Sequence, residues 1–309
     1  MKIAIIGQQD FGKAVLEAFL ARGDIVVGVF CAPEKEGAKA DPMKTSALEK
    51  GLKVFQFASL KSPEATAAMK ELNADIGIMA FVLQFAPQDF VNIPKHGTIQ
   101  YHPSLLPKYR GPSSINWPII KGETKTGLTI FRPTDGLDEG PVILQKETPV
   151  SENDTLGTVY FDRLFPMGVK AMLEAADLVV AGKHKEIVQD ESQASYEGWC
   201  RANEAKVNWN NHVDFIHNTI RGCDPAPGAW TTVNGKKLQL FGSKKHLVRT
   251  FGAVKGKIGE VTEIGDTMRI TAQGGQIEVS KVKAEDTKKI SPAEWAKGAG
   301  VALGTILGS

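Results

Sequence analysis

The N-terminal stretch constrains the fold most. Lys2-Ile3-Ala4-Ile5-Ile6-Gly7 is a short apolar run closed by glycine. Phe11 to Ala21 follows with apolar residues at Phe11, Ala14, Val15, Ala18 and Phe19, the spacing of one helix face. Ile25 to Phe30 is a second apolar run. Neither run alternates with polar residues, so each reads as a strand covered on both faces, as in a parallel sheet. Strand, helix and strand within about thirty residues make a βαβ unit. Downstream, Thr45 to Lys50 and Glu64 to Leu72 read as helices. Lys53 to Phe55, Asp75 to Met79 with Phe81, and Gly97 to Tyr101 read as strands. The alternation predicts an open, mostly parallel, Rossmann-like α/β sheet.

The texture changes near Gly127. Gly127 to Phe131 and Val142 to Lys146 read as an antiparallel pair at a sheet edge, and Thr155 to Ala181 as a long amphipathic helix with a break at Pro166. Gly182 to Asn203 is polar and poorly periodic. Lys237 to Phe241, Gly259 to Glu263, Met268 to Thr271 and Ile277 to Val282 then form short strands punctuated by glycine, the pattern of a small β-barrel. A chain of 309 residues fits about two domains. We place an α/β domain at 1–182, a linker at 183–203 and a barrel domain at 204–309.

Composition excludes several classes. Hydrophobic residues at 42% and charged residues at 23% are ordinary for a folded domain. A net charge of +2 supplies no global attraction to nucleic acid or anionic membrane. Cys31, Cys200 and Cys223 match no metal-ligand spacing and suggest a reducing compartment. Met1-Lys2 precedes only four apolar residues, too few for a secretory signal. The most apolar window, Ile76 to Ala86, is about half a membrane span. A cytoplasmic protein is expected.

Three loops carry chemistry-bearing residues. Gly7-Gln8-Gln9-Asp10-Phe11-Gly12-Lys13-Ala14 resembles a phosphate loop, yet Ala14 stands where a magnesium-ligating hydroxyl is required, which favours a plain strand-to-helix turn over nucleotide binding. In Gln100-Tyr101-His102-Pro103-Ser104-Leu105-Leu106-Pro107, a strand delivers His102 to its carboxyl end, where open α/β sheets place ligands. Gln100 lies two residues back and shares its face. Pro103 and Pro107 stiffen the loop. An amide and an imidazole converging there can polarise a carbonyl and move a proton. In Gly136-Leu137-Asp138-Glu139-Gly140, two glycines bracket a carboxylate, so the loop is either an ordinary turn or a close approach to a ligand.

Together these segments resemble the formyltransferases that use 10-formyltetrahydrofolate, which carry Asn-x-His-x-Ser-Leu-Leu-Pro and Gly-Leu-Asp-x-Gly loops in this order. Asn208-Trp209, Ile216-His217-Asn218-x-Ile220-Arg221 and Pro227-Gly228-Ala229-Trp230-Thr231 are similar to the start of the family's C-terminal barrel, of OB-like type. Tyr101 to Pro107, Ser114-Ile115-Asn116-Trp117, Arg163-Leu164-Phe165-Pro166 and Ser195-Tyr196-Glu197-Gly198 resemble its hydrolase branch, found at the N-terminus of 10-formyltetrahydrofolate dehydrogenases. The methionyl-tRNA branch shares both loops and the barrel but carries a longer, more basic insertion. Here the corresponding stretch, Glu34 to Asp41, balances acids and bases.

The resemblance implies the formyltransferase fold, 10-formyltetrahydrofolate as formyl donor, and no metal or nicotinamide. It puts His102 and Asp138 at the catalytic positions, with Gln100 replacing the asparagine. A glutamine reaches roughly 1.5 Å further, one carbon–carbon bond. Glu139 and Pro141 depart from the common threonine and aspartate, and Pro141 has no N–H to offer. Ser104, Leu105, Gln84, Phe85, Ala86, Gly136 and Leu137 are the implied substrate contacts, with the pterin between Ala80–Pro87 and the Asp138 loop. Asp138 is expected to orient His102 and favour its protonated form. With water as acceptor the products are formate and tetrahydrofolate. The alternatives are transfer to methionyl-tRNA, transfer to an amino sugar nucleotide, and a folate-binding module without activity. A tRNA partner would need a basic path over Lys236, Lys237, Lys244, Lys245, Arg249, Lys255 and Lys257, which equally make a solvated face. Carrier and aldehyde-dehydrogenase domains, present in the dehydrogenases, are expected only beyond this chain.

Overall fold

The computed structural model describes residues 1–250 and 254–308. The chain forms two compact units. The first holds Met1–Gly111, Gly127–Glu147 and Arg163–Tyr196; the second holds Pro112–Thr126, Thr148–Asp162 and the chain from Glu197 onward. The division differs from the one expected at 182 and 203. Segments 112–126 and 148–162 cluster with the C-terminal part, and most of the expected linker clusters with the first unit. The linker is tied to the first unit at Ile187 and Val142, whose backbones exchange hydrogen bonds of 2.8 and 2.9 Å.

The first unit opens with β1 (Lys2–Gly7), α1 (Gln9–Ala21), β2 (Ile25–Phe30), α2 (Pro42–Glu49), β3 (Val54–Phe55), α3 (Pro63–Leu72), β4 (Ile76–Ala80), α4 (Gln88–Val91) and β5 (Thr98–His102). After α5 (Asn116–Ile120) come β6 (Lys125–Phe131) and β7 (Val142–Pro149). These strands make one seven-stranded sheet in the order β3-β2-β1-β4-β5-β6-β7. β3 to β5 join in parallel and β6 runs antiparallel to β5. The mostly parallel sheet and its added edge pair are those expected. The order reverses at β1 and β4, so Gly7, Ala80 and the neighbouring His102 end their strands on the side where such sheets bind ligands.

Pro63 and Pro42 start their helices, where a missing N–H costs nothing, and Ser62 and Asp41 cap them. Ala65, Ala68, Met69 and Leu72 of α3 cluster with Ile6, Phe30 and Phe90 in one core layer. On α1, Phe11 meets Tyr101 at 4.3 Å and Phe165 edge-on at 5.4 Å between ring centres. The long helix expected over Thr155–Ala181 is α6 (Leu156–Val159), a π-turn over Tyr160–Leu164, and α7 (Phe165–Val180). The break falls one turn before Pro166. Its ring cannot donate and crowds the carbonyl four residues back, so the preceding turn widens.

In the second unit, α8 (Val213–Gly222) precedes β8 (Ala229–Val233), β9 (Lys236–Leu247), β10 (Val261–Ile264), β11 (Met268–Ala272), β12 (Gly275–Ala284) and α9 (Pro292–Ala299). Asn234 and Gly235, both at positive φ, turn the chain from β8 to β9. The five strands form an antiparallel sheet in the order β10-β11-β12-β9-β8. The C-terminal tail joins the two ends of this ladder: Leu307 N–H bonds Gly259 O, and Gly308 N–H bonds Thr232 O, each at 2.8 Å. Cys31, Cys200 and Cys223 are free and buried; the latter two sulfurs lie 3.8 Å apart. Among the described residues, no helix is long and apolar enough to cross a membrane.

Candidate active site

The Gly7–Gly12 loop is a strand-to-helix turn. Gln9, at φ +61°, donates its N–H to Asp41 Oδ2 at 2.8 Å, while Asp41 Oδ1 caps α2 through Met43 N–H and Lys44 N–H. One carboxylate thus serves both helix N-termini. Its negative charge at those N–H groups repels a phosphate. Nearby, Glu34 accepts from Gln56 Nε2 and Lys44 Nζ, which holds its carboxyl down at about 2 and anchors the exposed 35–40 stretch.

His102 ends β5 and is buried. Its Nε2 lies 2.8 Å from Tyr109 O. A carbonyl only accepts, so Nε2 carries a proton and the ring is oriented by the backbone. Nδ1 points the other way, to Asp138 Oδ2 at 3.6 Å. The side chains of His102 and Asp138 are 7% and 9% exposed, so neither is sealed. At 3.6 Å the two are adjacent without a hydrogen bond. Gln100 sits on the same strand face, half-buried, and its amide makes no hydrogen bond to the described residues.

Asp138 is fixed by its loop. It adopts φ +55°, a conformation aspartate tolerates. Its Oδ2 accepts the N–H of Gly111 at 2.8 Å. Gly111 itself sits at φ +84°, and a Cβ there would strike the Tyr196 ring at 2.4 Å. Gly140 closes the loop so tightly that a Cβ would lie 1.6 Å from Arg132 O. Pro141 supplies only its carbonyl, to Arg132 N–H at 3.0 Å, so its missing N–H costs the β6–β7 hairpin nothing.

The remaining expected contacts divide into two groups. Phe85 and Leu137 are exposed, together with Phe81 and Leu83. Gln88 links the two loops, donating to Pro133 O at 2.9 Å and, by its N–H, to Asp135 Oδ1 at 3.3 Å. The stretch after β4 therefore runs beside the Asp138 loop and supplies an apolar rim. The other group is spent on the fold. Ser104 is fully buried, with its hydroxyl on Lys108 O at 2.7 Å. Leu105 packs over Gly127, Gln84 holds Phe57 O and Ala58 O, and Ala86 lies in the core. Gly136 leaves room for the Glu139 side chain.

Sequence reading missed a second set. Tyr109, Arg110, Gly111, Gln189 and Ser195 form the bed of the two loops. Gln189 Nε2 donates to Asp138 O and Gly140 O at 2.8 and 2.7 Å. Gln189 Oε1 accepts from Arg110, which also pairs with Glu191; that pairing pulls the Glu191 carboxyl below its usual range and raises the guanidinium. The signals available were Arg110-Gly111 beside the proline-stiffened loop and the Ser195-Tyr196 similarity. Gln189, in a polar aperiodic stretch, offered none. Chemically, the site sets a proton-bearing imidazole, a carboxylate and an unengaged amide around one strand end. Such a set can stabilise an oxyanion and relay a proton.

Comparison with known proteins bears on that chemistry. Residues 1–176 match a family model described as formyl transferase, and residues 200–300 match one described as formyl transferase, C-terminal domain. The cytosolic 10-formyltetrahydrofolate dehydrogenase of Xenopus laevis is 38% identical over 310 residues, covering 96% of this chain and 34% of the relative. The chain thus spans about a quarter to a third of the dehydrogenases it matches. The methionyl-tRNA formyltransferase of Syntrophus aciditrophicus (strain SB) is 31% identical over 313 residues, covering 100% of this chain and 99% of the relative. The crystal structure of an N-formyltransferase from Helicobacter canadensis, in complex with folinic acid and dTDP-3-aminofucose, has the same fold. Its TM-score is 0.70 at 19% identity, over 92% of this chain and 100% of that one.

Proposed function

The chain belongs to the formyltransferase family, and from that premise we propose that it removes the formyl group of 10-formyltetrahydrofolate to water, yielding formate and tetrahydrofolate. The observation that supports the site assignment is the 3.6 Å approach of His102 Nδ1 to Asp138 Oδ2 beside the unengaged Gln100 amide. The similarity to dehydrogenases at 38% identity, above the 31% to the methionyl-tRNA enzyme, favours water as acceptor. We place the reaction in the cytoplasm, where free thiols persist.

The steps follow from the proton positions. Nε2–H is engaged by Tyr109 O, so donation to the formyl oxygen comes from Nδ1–H of a doubly protonated His102, with the Gln100 amide as second donor. Asp138 takes a proton from the attacking water. The water oxygen bonds to the formyl carbon and the carbonyl electrons become an oxyanion. The oxyanion then collapses, the bond from carbon to the folate nitrogen breaks, and that nitrogen receives the proton held by Asp138. Formate leaves. The exposed Phe81, Phe85 and Leu137 are surfaces for an apolar ring.

Formyl transfer to an amine is the second reading, favoured by the match along 99% of a methionyl-tRNA formyltransferase. Against it stands the state of the basic path. Lys245 is paired with both Asp214 and Glu152, and Lys237 lies over the Trp230 ring. The test is incubation with 10-formyltetrahydrofolate, with and without charged initiator tRNA. Formate release without acceptor is the expected result; turnover that requires tRNA would displace it. His102→Ala and Asp138→Ala are expected to lower the rate by about 10²–10⁴-fold while the protein stays folded. Wild-type-like turnover in either would remove the assignment.

A further inference from the structure

The segment from Ile187 to Tyr196 runs alongside both loops of the site. At one end Gln189 is buried, and all four hydrogen bonds of its amide are accounted for. The guanidinium of Arg110 can only donate, so it holds Oε1 and turns both N–H groups towards Asp138 O and Gly140 O. At the other end Ser195 Oγ accepts the N–H of Tyr109 at 2.9 Å, and Ser195 N–H bonds Pro107 O. Tyr109 O is the acceptor that orients His102.

Tyr109 and Asp138 both sit at positive φ, at +58° and +55°. Aspartate tolerates such backbone, but a bulky tyrosine holds it only where its surroundings over-determine it. The same segment bonds the backbone of each. Resting on the function proposed above, we propose that Gln189 and Ser195 are positioning residues, which set Asp138 and His102 side by side through their loops without touching substrate. Catalysis falls steeply with small displacements of such groups, about 10²-fold for 1 Å.

The variants are Gln189→Glu, Gln189→Met and Ser195→Ala in the full chain. Gln189→Glu keeps the acceptor for Arg110 but loses both donors to the Asp138 loop. Its kcat for formate release is expected to fall about 10–100-fold with KM within about threefold. Ser195→Ala should lower kcat less, because only one bond is lost. The second readout needs no substrate: the proton and nitrogen shifts of the Gly111 amide, which donates to Asp138 Oδ2. They are expected to move in Gln189→Glu, in protein whose far-UV circular dichroism still matches wild type. Unchanged kcat, or an unmoved Gly111 amide in a folded variant, would overturn the proposal. Should Gln189→Met fail to fold, Gln189→Glu still decides. Should the wild type release no formate, the proposed function falls, and the Gly111 amide alone decides the positioning role.

Discussion

Gln100 differs by one methylene from the asparagine of the resembling loops, and the difference is chemical as well as steric. From β5 it extends on the His102 side, and no described group holds its amide. An amide that no described residue holds is free to donate to a ligand, and the extra reach of roughly 1.5 Å then sets where the ligand oxygen sits. Gln100→Met keeps length and removes the donor. It is expected to cut formate release about 10²–10³-fold with an unchanged melting temperature. Gln100→Asn restores the donor at shorter reach and is expected to fall between. A Gln100→Met enzyme with wild-type kcat would put the chemistry on His102 and Asp138 alone.

The β6–β7 hairpin illustrates how an element carries the site. Its turn must bring Asp138 back over the strand ends, and Gly140 allows this because its Cα approaches Arg132 O too closely for a side chain. Gly140→Ala would drive a methyl into backbone, which cannot rotate away. The expected cost is about 1–3 kcal/mol, read as a lower urea midpoint, with activity falling as the loop shifts. A variant as stable and active as wild type would show that the turn adapts. This glycine bracket was legible in sequence, as were β1, β2, β4 and β5, because a strand covered on both faces must be apolar throughout. The Ile187–Tyr196 segment was not legible. It is held by side chains and backbone groups that bond loops far away in sequence, and such pairing leaves no period. The π-turn before Pro166 was half legible: the proline announces a break, but the widened turn falls where the crowded carbonyl lies. β9 runs six residues beyond the expected Phe241; residues 242–247 carry Lys244, Lys245 and His246 and lack the apolar signal by which the first half was read.

At the scale of the molecule, the second unit contains a pH-dependent element of stability. His217 of α8 is buried between Ser243 Oγ on Nδ1 and Glu152 O on Nε2, each at 2.9 Å. The carbonyl fixes a proton on Nε2. The lowered pKa favours the neutral ring, whose bare Nδ1 accepts from the Ser243 hydroxyl. Burial lowers its pKa first, and Arg221 and Lys245 add to this, against the opposing pull of Glu152. A histidine lowered in the folded state binds fewer protons there than when unfolded. Its contribution is therefore fully present above the unfolded value near 6.5 and is lost as pH falls through the folded value. Urea unfolding at pH 7.5 and 5.5 should show wild type losing more stability on acidification than His217→Gln. The variant starts weaker, since Gln fills the site imperfectly, but its curve should be flatter over this window. Parallel losses in the two proteins would mean that the acid sensitivity over this window arises at another group. It does not arise at the carboxylates that Arg22, Lys44 and Arg110 hold ionised. Those groups titrate lower, the Glu34 carboxyl at about 2, so their effect should appear only well below pH 5.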